Sequence, residues 1–153
     1  MKKIISILAG AALLILISCG NETGLDQDLL NGVIGGGEWR YQFAKANFDF
    51  NGSVDIEMYG QMEQETNPCV INSIEGYISV TLPTETGTYT LPLPIQSETL
   101  RFHQPGVGQM LFVANSGFVE VFTVEGRRVA GYIQASFDED NTVEGTFIFD
   151  TCN

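Results

Sequence analysis

The side chains in this 153-residue chain with the richest chemistry are one histidine, three cysteines and 19 acids. His103 is the lone histidine. A zinc site of ordinary type needs several His or Cys ligands at close spacing, and no such set can be assembled around it. A Ser-His-Asp arrangement would need His103 as its base. In the run Leu100–Gln104, however, Leu100 and Phe102 take the inward positions and His103 the outward one, which reads as an exposed strand histidine. Paired carboxylates suffice for glycosidases, and Asp55 and Glu57 share one face of a strand, with Glu75 and Glu144 outward on others. Among 19 acids, outward pairs of this kind arise by chance. Asp138, Asp140 and Asn141, in the turn Asp138-Glu139-Asp140-Asn141, offer oxygen ligands of the type calcium takes, but without the spacing of a calcium loop. The turn reads better as a solvated hairpin, so neither metal nor cofactor is expected. Gly35–Gly37 is not a phosphate loop, because it precedes a strand and lacks a following Lys-Ser/Thr pair.

What remains is aromatic. By alternation Tyr59, Tyr77 and Tyr132 point away from the core and form a candidate binding face for sugars or a partner surface. The competing reading is that such tyrosines pair across strands. Phe118 and Phe122 add to the case, because Val119 and Val121 compete with them for the inward side of one strand.

The elements that must position these groups are strands. Apolar and polar residues alternate with period two through Trp39–Phe43, Val54–Met58, Ile74–Leu82, Val129–Phe137 and Val143–Phe149. Shorter candidates are Thr88–Leu91, Thr99–His103, Gln109–Val113 and Phe118–Val124. Turn chemistry separates them at Asn51-Gly52, Pro105-Gly106, Asn115-Ser116-Gly117, Glu125-Gly126 and Asp138–Asn141. Pro83, Pro92 and Pro94 flank Thr84–Leu91, and proline removes a ladder donor, so that segment belongs at a sheet edge. The expectation is an all-β fold: an antiparallel β-sandwich or partly open barrel of about eight or nine short strands.

The N-terminus describes an address. Lys2 and Lys3 precede Ile4–Ile17, a nearly unbroken apolar run of 14 residues. The run is short of the ~20 residues a spanning helix needs and fits a secretory signal peptide. It ends in Leu16-Ile17-Ser18-Cys19, which resembles the lipobox of bacterial lipoproteins. The resemblance implies a diacylglycerol on the Cys19 sulfur, cleavage after Ser18 and acylation of the new amino group. Each buried methylene contributes ~0.8 kcal/mol, so two or three chains on one residue anchor a protein stably where one would not. Gly20, in place of the Asp that in the lipoprotein sorting pattern favours inner-membrane retention, implies the outer membrane. The segment Gly117–Cys152, with Thr86–Leu91, also resembles the end of small uncharacterised β-rich bacterial lipoproteins. That resemblance implies a β fold and transfers no active site.

Three regions follow: a signal peptide over 1–18, the lipidated cysteine and a flexible tether over 19–37, and one all-β domain over 38–153. The tether is rich in Gly, Asn and acids, with a short ordered patch at Leu29–Ile34. Its flexible span is ~25 Å. The leader carries two of the seven basic residues and no acid, which leaves the mature chain at a formal charge of −14. Such a charge opposes nucleic-acid binding, which rests on Lys and Arg at phosphates. It also keeps a tethered domain off anionic lipid. In an oxidising compartment Cys69 and Cys152 are candidates for a disulfide, the alternative being two separate thiols. The bond would stabilise by ~4 kcal/mol in the chain-entropy view. The functional expectation is a lipid-anchored envelope protein with a non-catalytic binding or structural domain and a protein or glycan partner. An inhibitor or small-ligand-carrying barrel is the alternative, and an enzyme the remote one.

Overall fold

The alternation of apolar and polar residues becomes two antiparallel sheets. The computed structural model describes residues 29–49, 52–60, 76–93, 99–106 and 110–150. The expected lipid attachment at Cys19 and the Cys69–Cys152 pair lie outside these residues. The strands are β1 (Asn31–Ile34), β2 (Gly37–Arg40), β3 (Phe43–Phe48), β4 (Ser53–Tyr59), β5 (Tyr77–Pro83) and β6 (Gly87–Thr90), followed by β7 (Arg101–His103), β8 (Leu111–Val113), β9 (Ser116–Glu125), β10 (Arg128–Asp138) and β11 (Asn141–Asp150). A six-stranded sheet runs β2-β1-β11-β10-β9-β6, and a five-stranded sheet runs β3-β4-β5-β7-β8. Of the two architectures expected, the structure is the sandwich: the sheets remain two layers and do not close into a barrel. The predicted edge segment Thr84–Leu91 contains β6, which is an edge of the six-stranded sheet.

Each sheet turns one apolar face inward. Ile56, Met58, Ile78, Val80, Leu82 and Phe102 come from the five-stranded sheet. Val119, Ile133, Ala135, Val143 and Phe147 come from the six-stranded one, and together they form one core. Gly131 stands opposite Phe147 in the β10–β11 ladder. A Cβ on Gly131 would lie 2.6 Å from the Phe147 Cζ, so the glycine makes room for that ring.

Among the described residues there are two more strands than the upper expectation of nine, for two reasons. First, the polypeptide ordered into the sandwich begins before residue 38. Gly35 and Gly36 sit at φ 62° and 78°, the turn of a tight β1–β2 hairpin rather than the end of a flexible linker. β1 then lies between β2 and β11. Leu30, just before it, is fully buried, and its N–H donates to the Thr146 carbonyl at 2.8 Å.

Second, the Trp39–Phe43 run is not one strand. The chain leaves the six-stranded sheet after Arg40 and enters the five-stranded sheet at Phe43. The change of sheet breaks the alternation: Trp39 and Tyr41 are buried, whereas Ala44, not Phe43, faces the core. Two side chains stitch this corner. The Trp39 indole N–H donates to the Gly76 carbonyl at 3.0 Å. The Tyr41 hydroxyl donates to the Ile148 carbonyl at 2.8 Å.

Candidate functional site

Position along a strand decides which side chains meet on an outer face. In the five-stranded sheet, Phe43 pairs with Tyr59, Tyr59 with Tyr77, Tyr77 with His103 and His103 with Leu111. All five therefore stand in one row across the sheet on its outer side. The rings stack along that row. Centroids are 5.1 Å apart for Phe43–Tyr59 and for Tyr59–Tyr77, and 4.0 Å for Tyr77–His103, with interplanar angles of 11°, 27° and 8°. Each inner ring turns its flat faces to its neighbours, so the row presents ring edges outward. This is cross-strand pairing of aromatics, which stabilises a sheet, and it is not a flat platform for a sugar ring.

A second row lies beside the first. Lys45, Glu57, Ser79, Arg101 and Val113 are in register across the same five strands. Polar contacts link the rows. The Tyr59 hydroxyl donates to Glu57 Oε2 at 2.7 Å, and Lys45 Nζ lies 3.7 Å from the same oxygen. Ser79 Oγ is 2.8 Å from His103 Nε2. Burial and the bonded Glu57 carboxylate raise the Tyr59 phenol well above its ordinary value. Burial, then Glu57, raises Tyr77. Burial lowers His103, against the pull of Glu57 and with a further push from Arg101.

His103 is outward, as the alternation predicts, but it is half-buried and bonded rather than simply exposed. Ser79 and a neutral histidine are a nucleophile and a base in contact. Among the described residues no carboxylate accepts a hydrogen bond from the other ring nitrogen, so the orienting third group of a triad is not in place. Glu57, the nearest acid in register, is held by Tyr59 and Lys45.

The three tyrosines picked out from the sequence do not share a surface. Tyr59 and Tyr77 are neighbours in the row just described, and Tyr59, at 5 % exposure, is buried. Tyr132 lies in β10, in the other sheet. Its register partners are Glu120 and Thr146, its ring stacks on Phe118 at 5.8 Å, and its hydroxyl donates to Glu144. That bond comes first among the causes that push its phenol up to about 12. Val119 and Val121 take the inward side of β9 and leave Phe118 outward. Phe122 falls where the β9–β10 register shifts, without a partner across the ladder, and is 42 % exposed.

The acidic turn is a clasp. Asn141, 1 % exposed, donates to Asp138 Oδ1 at 2.8 Å. The Asp140 N–H donates to the same oxygen at 3.1 Å. Asn141 Oδ1 accepts from the Gly35 N–H at 3.1 Å and from Gln104 Nε2 at 3.4 Å. The carbonyl oxygen that a calcium ion would use thus holds the β1–β2 turn against the β10–β11 turn. Among the described residues no group of three or more His, Cys, Asp or Glu is placed to hold a metal ion.

Sequence reasoning did not find the Ser79–His103 contact or the place of Phe43 at the head of the aromatic row. Both depend on long-range register. No family model, no curated protein and no solved structure matches this chain.

Proposed function

We propose that this chain is a lipid-anchored protein of the bacterial cell envelope, attached through Cys19 to the outer membrane. Its β-sandwich is a non-catalytic module that docks a partner protein on the outer face of the five-stranded sheet. The lipobox Leu16-Ile17-Ser18-Cys19 supports the anchor. The observation that carries the docking role is where exposed apolar surface collects. Met110, Leu111 and Val113 are 60 %, 50 % and 40 % exposed, at or beside the edge strand β8. Leu111 is in register with His103 and Val113 with Arg101, so the apolar patch prolongs both outer rows. Contiguous apolar surface rimmed by polar groups marks interaction sites, and Met, Arg and aromatic residues are enriched in interface cores. The cross-strand stack holds the face in one arrangement before a partner arrives, which lowers the ordering cost of binding. An inhibitor presenting this face to an envelope enzyme is one form of the same role.

Two measurements on the full-length chain in a bacterial host test the reading. An alkyne fatty acid fed to the cells labels the wild type, and Cys19→Ser takes no label. A wild type without label overturns the anchor. A photo-crosslinking residue at position 111 yields one discrete adduct that Val113→Glu abolishes, and the same residue at position 142, on the other sheet, does not. Equal adducts from both positions overturn docking by this face.

A further inference from the structure

The outer face of the six-stranded sheet carries a trough whose walls are set by register. On one side Asn31, Glu144 and Gln134 stand in line across β1, β11 and β10. On the other side Thr142, Ser136 and Ser116 stand in line across β11, β10 and β9. Between the two lines runs a row from Gly32 to Gly117, whose members Val143 and Ala135 turn their side chains into the core. The floor is therefore backbone. The trough is shallow and open to solvent, with a volume of about 510 Å³, within the size range of small-molecule sites. It crosses four strands, so its length is roughly 14 Å at the usual strand spacing of ~4.8 Å. That suits a short chain of linked rings rather than a single one.

From this geometry we infer that the trough binds a neutral oligosaccharide. The walls consist of two amides, three hydroxyls and one carboxylate, groups that donate and accept in alternation as vicinal sugar hydroxyls do. The floor's backbone groups belong to sheet ladders, so an added peptide strand finds no partner there. No Lys or Arg lines the trough, and the chain's charge is −12, so anionic ligands are disfavoured. No large apolar side chain points into it, so a lipid tail gains nothing. Two neighbouring members of one wall are held in advance. Asn31 Nδ2 donates to the Leu29 carbonyl at 2.8 Å, and Glu144 accepts from Tyr132. Beyond Gln134 that wall continues to Phe118, stacked on Tyr132. There an aromatic pair borders the polar line, as the C–H faces of a sugar require. This site lies on the opposite sheet from the docking face and stands independently of it.

The test is amide-resolved NMR titration of the full-length chain in detergent micelles with cellohexaose, chitohexaose and maltohexaose in turn. At least one gives saturable shifts centred on Gly32, Gly117, Gln134–Ser136 and Thr142–Glu144. Gln134→Ala weakens that binding by about tenfold, the factor one hydrogen bond supplies, and Ser136→Phe, which fills the trough, abolishes it. The amide spectrum of each variant reports that its fold is intact. The inference is overturned if none of the three sugars gives saturable shifts. It is equally overturned if the shifts centre on Tyr77 and His103, or if folded Ser136→Phe binds like the wild type. None of these results touches fatty-acid labelling at Cys19 or crosslinking at position 111.

Discussion

Replacing Leu30 by alanine distinguishes a tether that reaches Gly37 from a sandwich that begins before it. Leu30 is fully buried and belongs to the core cluster, six residues or more inside the segment whose composition reads as a linker. Deleting a buried leucine side chain to Cβ removes its transfer energy and leaves a cavity, together ~2–5 kcal/mol. Its neighbour Leu29 is 61 % exposed, and Leu29→Ala should shift stability by no more than ~0.5 kcal/mol. The assay is urea unfolding followed by the fluorescence of Trp39, the chain's single tryptophan. Trp39 is 6 % exposed and sits in β2, the hairpin partner of β1. With a urea slope of ~1–3 kcal/mol/M for a small domain, Leu30→Ala lowers the midpoint by roughly 1–2 M, and Leu29→Ala leaves it in place. Equal midpoints for the wild type and Leu30→Ala would refute the seating of β1 in the sheet and return this segment to the tether.

Other outcomes follow from the polar contacts. Asn141→Ala removes the acceptor of the Gly35 N–H and one of the two donors to Asp138, and should cost ~0.5–1.5 kcal/mol in the same urea assay, the net worth of a hydrogen bond; no change in midpoint refutes the clasp. His103 is held below its ordinary value of 6.5, mainly by burial. The unfolded chain therefore binds this proton more readily, and stability increases with pH across that range. Its contribution is complete above 6.5 and is lost as pH falls through the folded value. His103→Gln should flatten this part of the profile of urea midpoint against pH, and a variant with the wild-type slope refutes the assignment. Glu144→Ala should bring the Tyr132 phenol down from about 12 towards the ordinary value of 10.0, read as phenolate absorbance in an alkaline titration. An unchanged titration curve means that Glu144 does not hold the hydroxyl.

Much of the architecture was legible because strand alternation is a local signal. The inward sides of β4, β5, β10 and β11 follow from period two alone, and the prolines around Thr84–Leu91 place β6 at an edge through one missing donor. Two features were not legible, for different reasons. The glycines at 35–37 have the composition of a linker, and only pairing of β1 with β11, more than a hundred residues away, makes Gly35-Gly36 a hairpin turn. The run Trp39–Phe43 keeps its alternation in the sequence while the chain changes sheets, so the inward side swaps without any local mark. For the outer faces, the direction of a tyrosine can be read from its own strand, but its company cannot. Tyr77 and Tyr132 both point outward, and strand order alone puts them on opposite sides of the molecule. Asn141 was misleading in another way. An oxygen-rich turn resembles a cation loop in composition, whereas its amide donates as well as accepts and so can join two turns.

The position of β1 has a mechanical consequence. A domain held at Cys19 and gripped elsewhere by a partner, as proposed above, would be loaded through its N-terminal strand. β1 is no peripheral flap: it is paired over four residues with β2 on one side and over four with β11 on the other. Tension applied at Leu29 along the strand axis would bear on both ladders together, in shear, instead of peeling them one at a time from an end. The strand that would take the load from the proposed anchor is thus an interior plank of the sheet, with β11 as its neighbour.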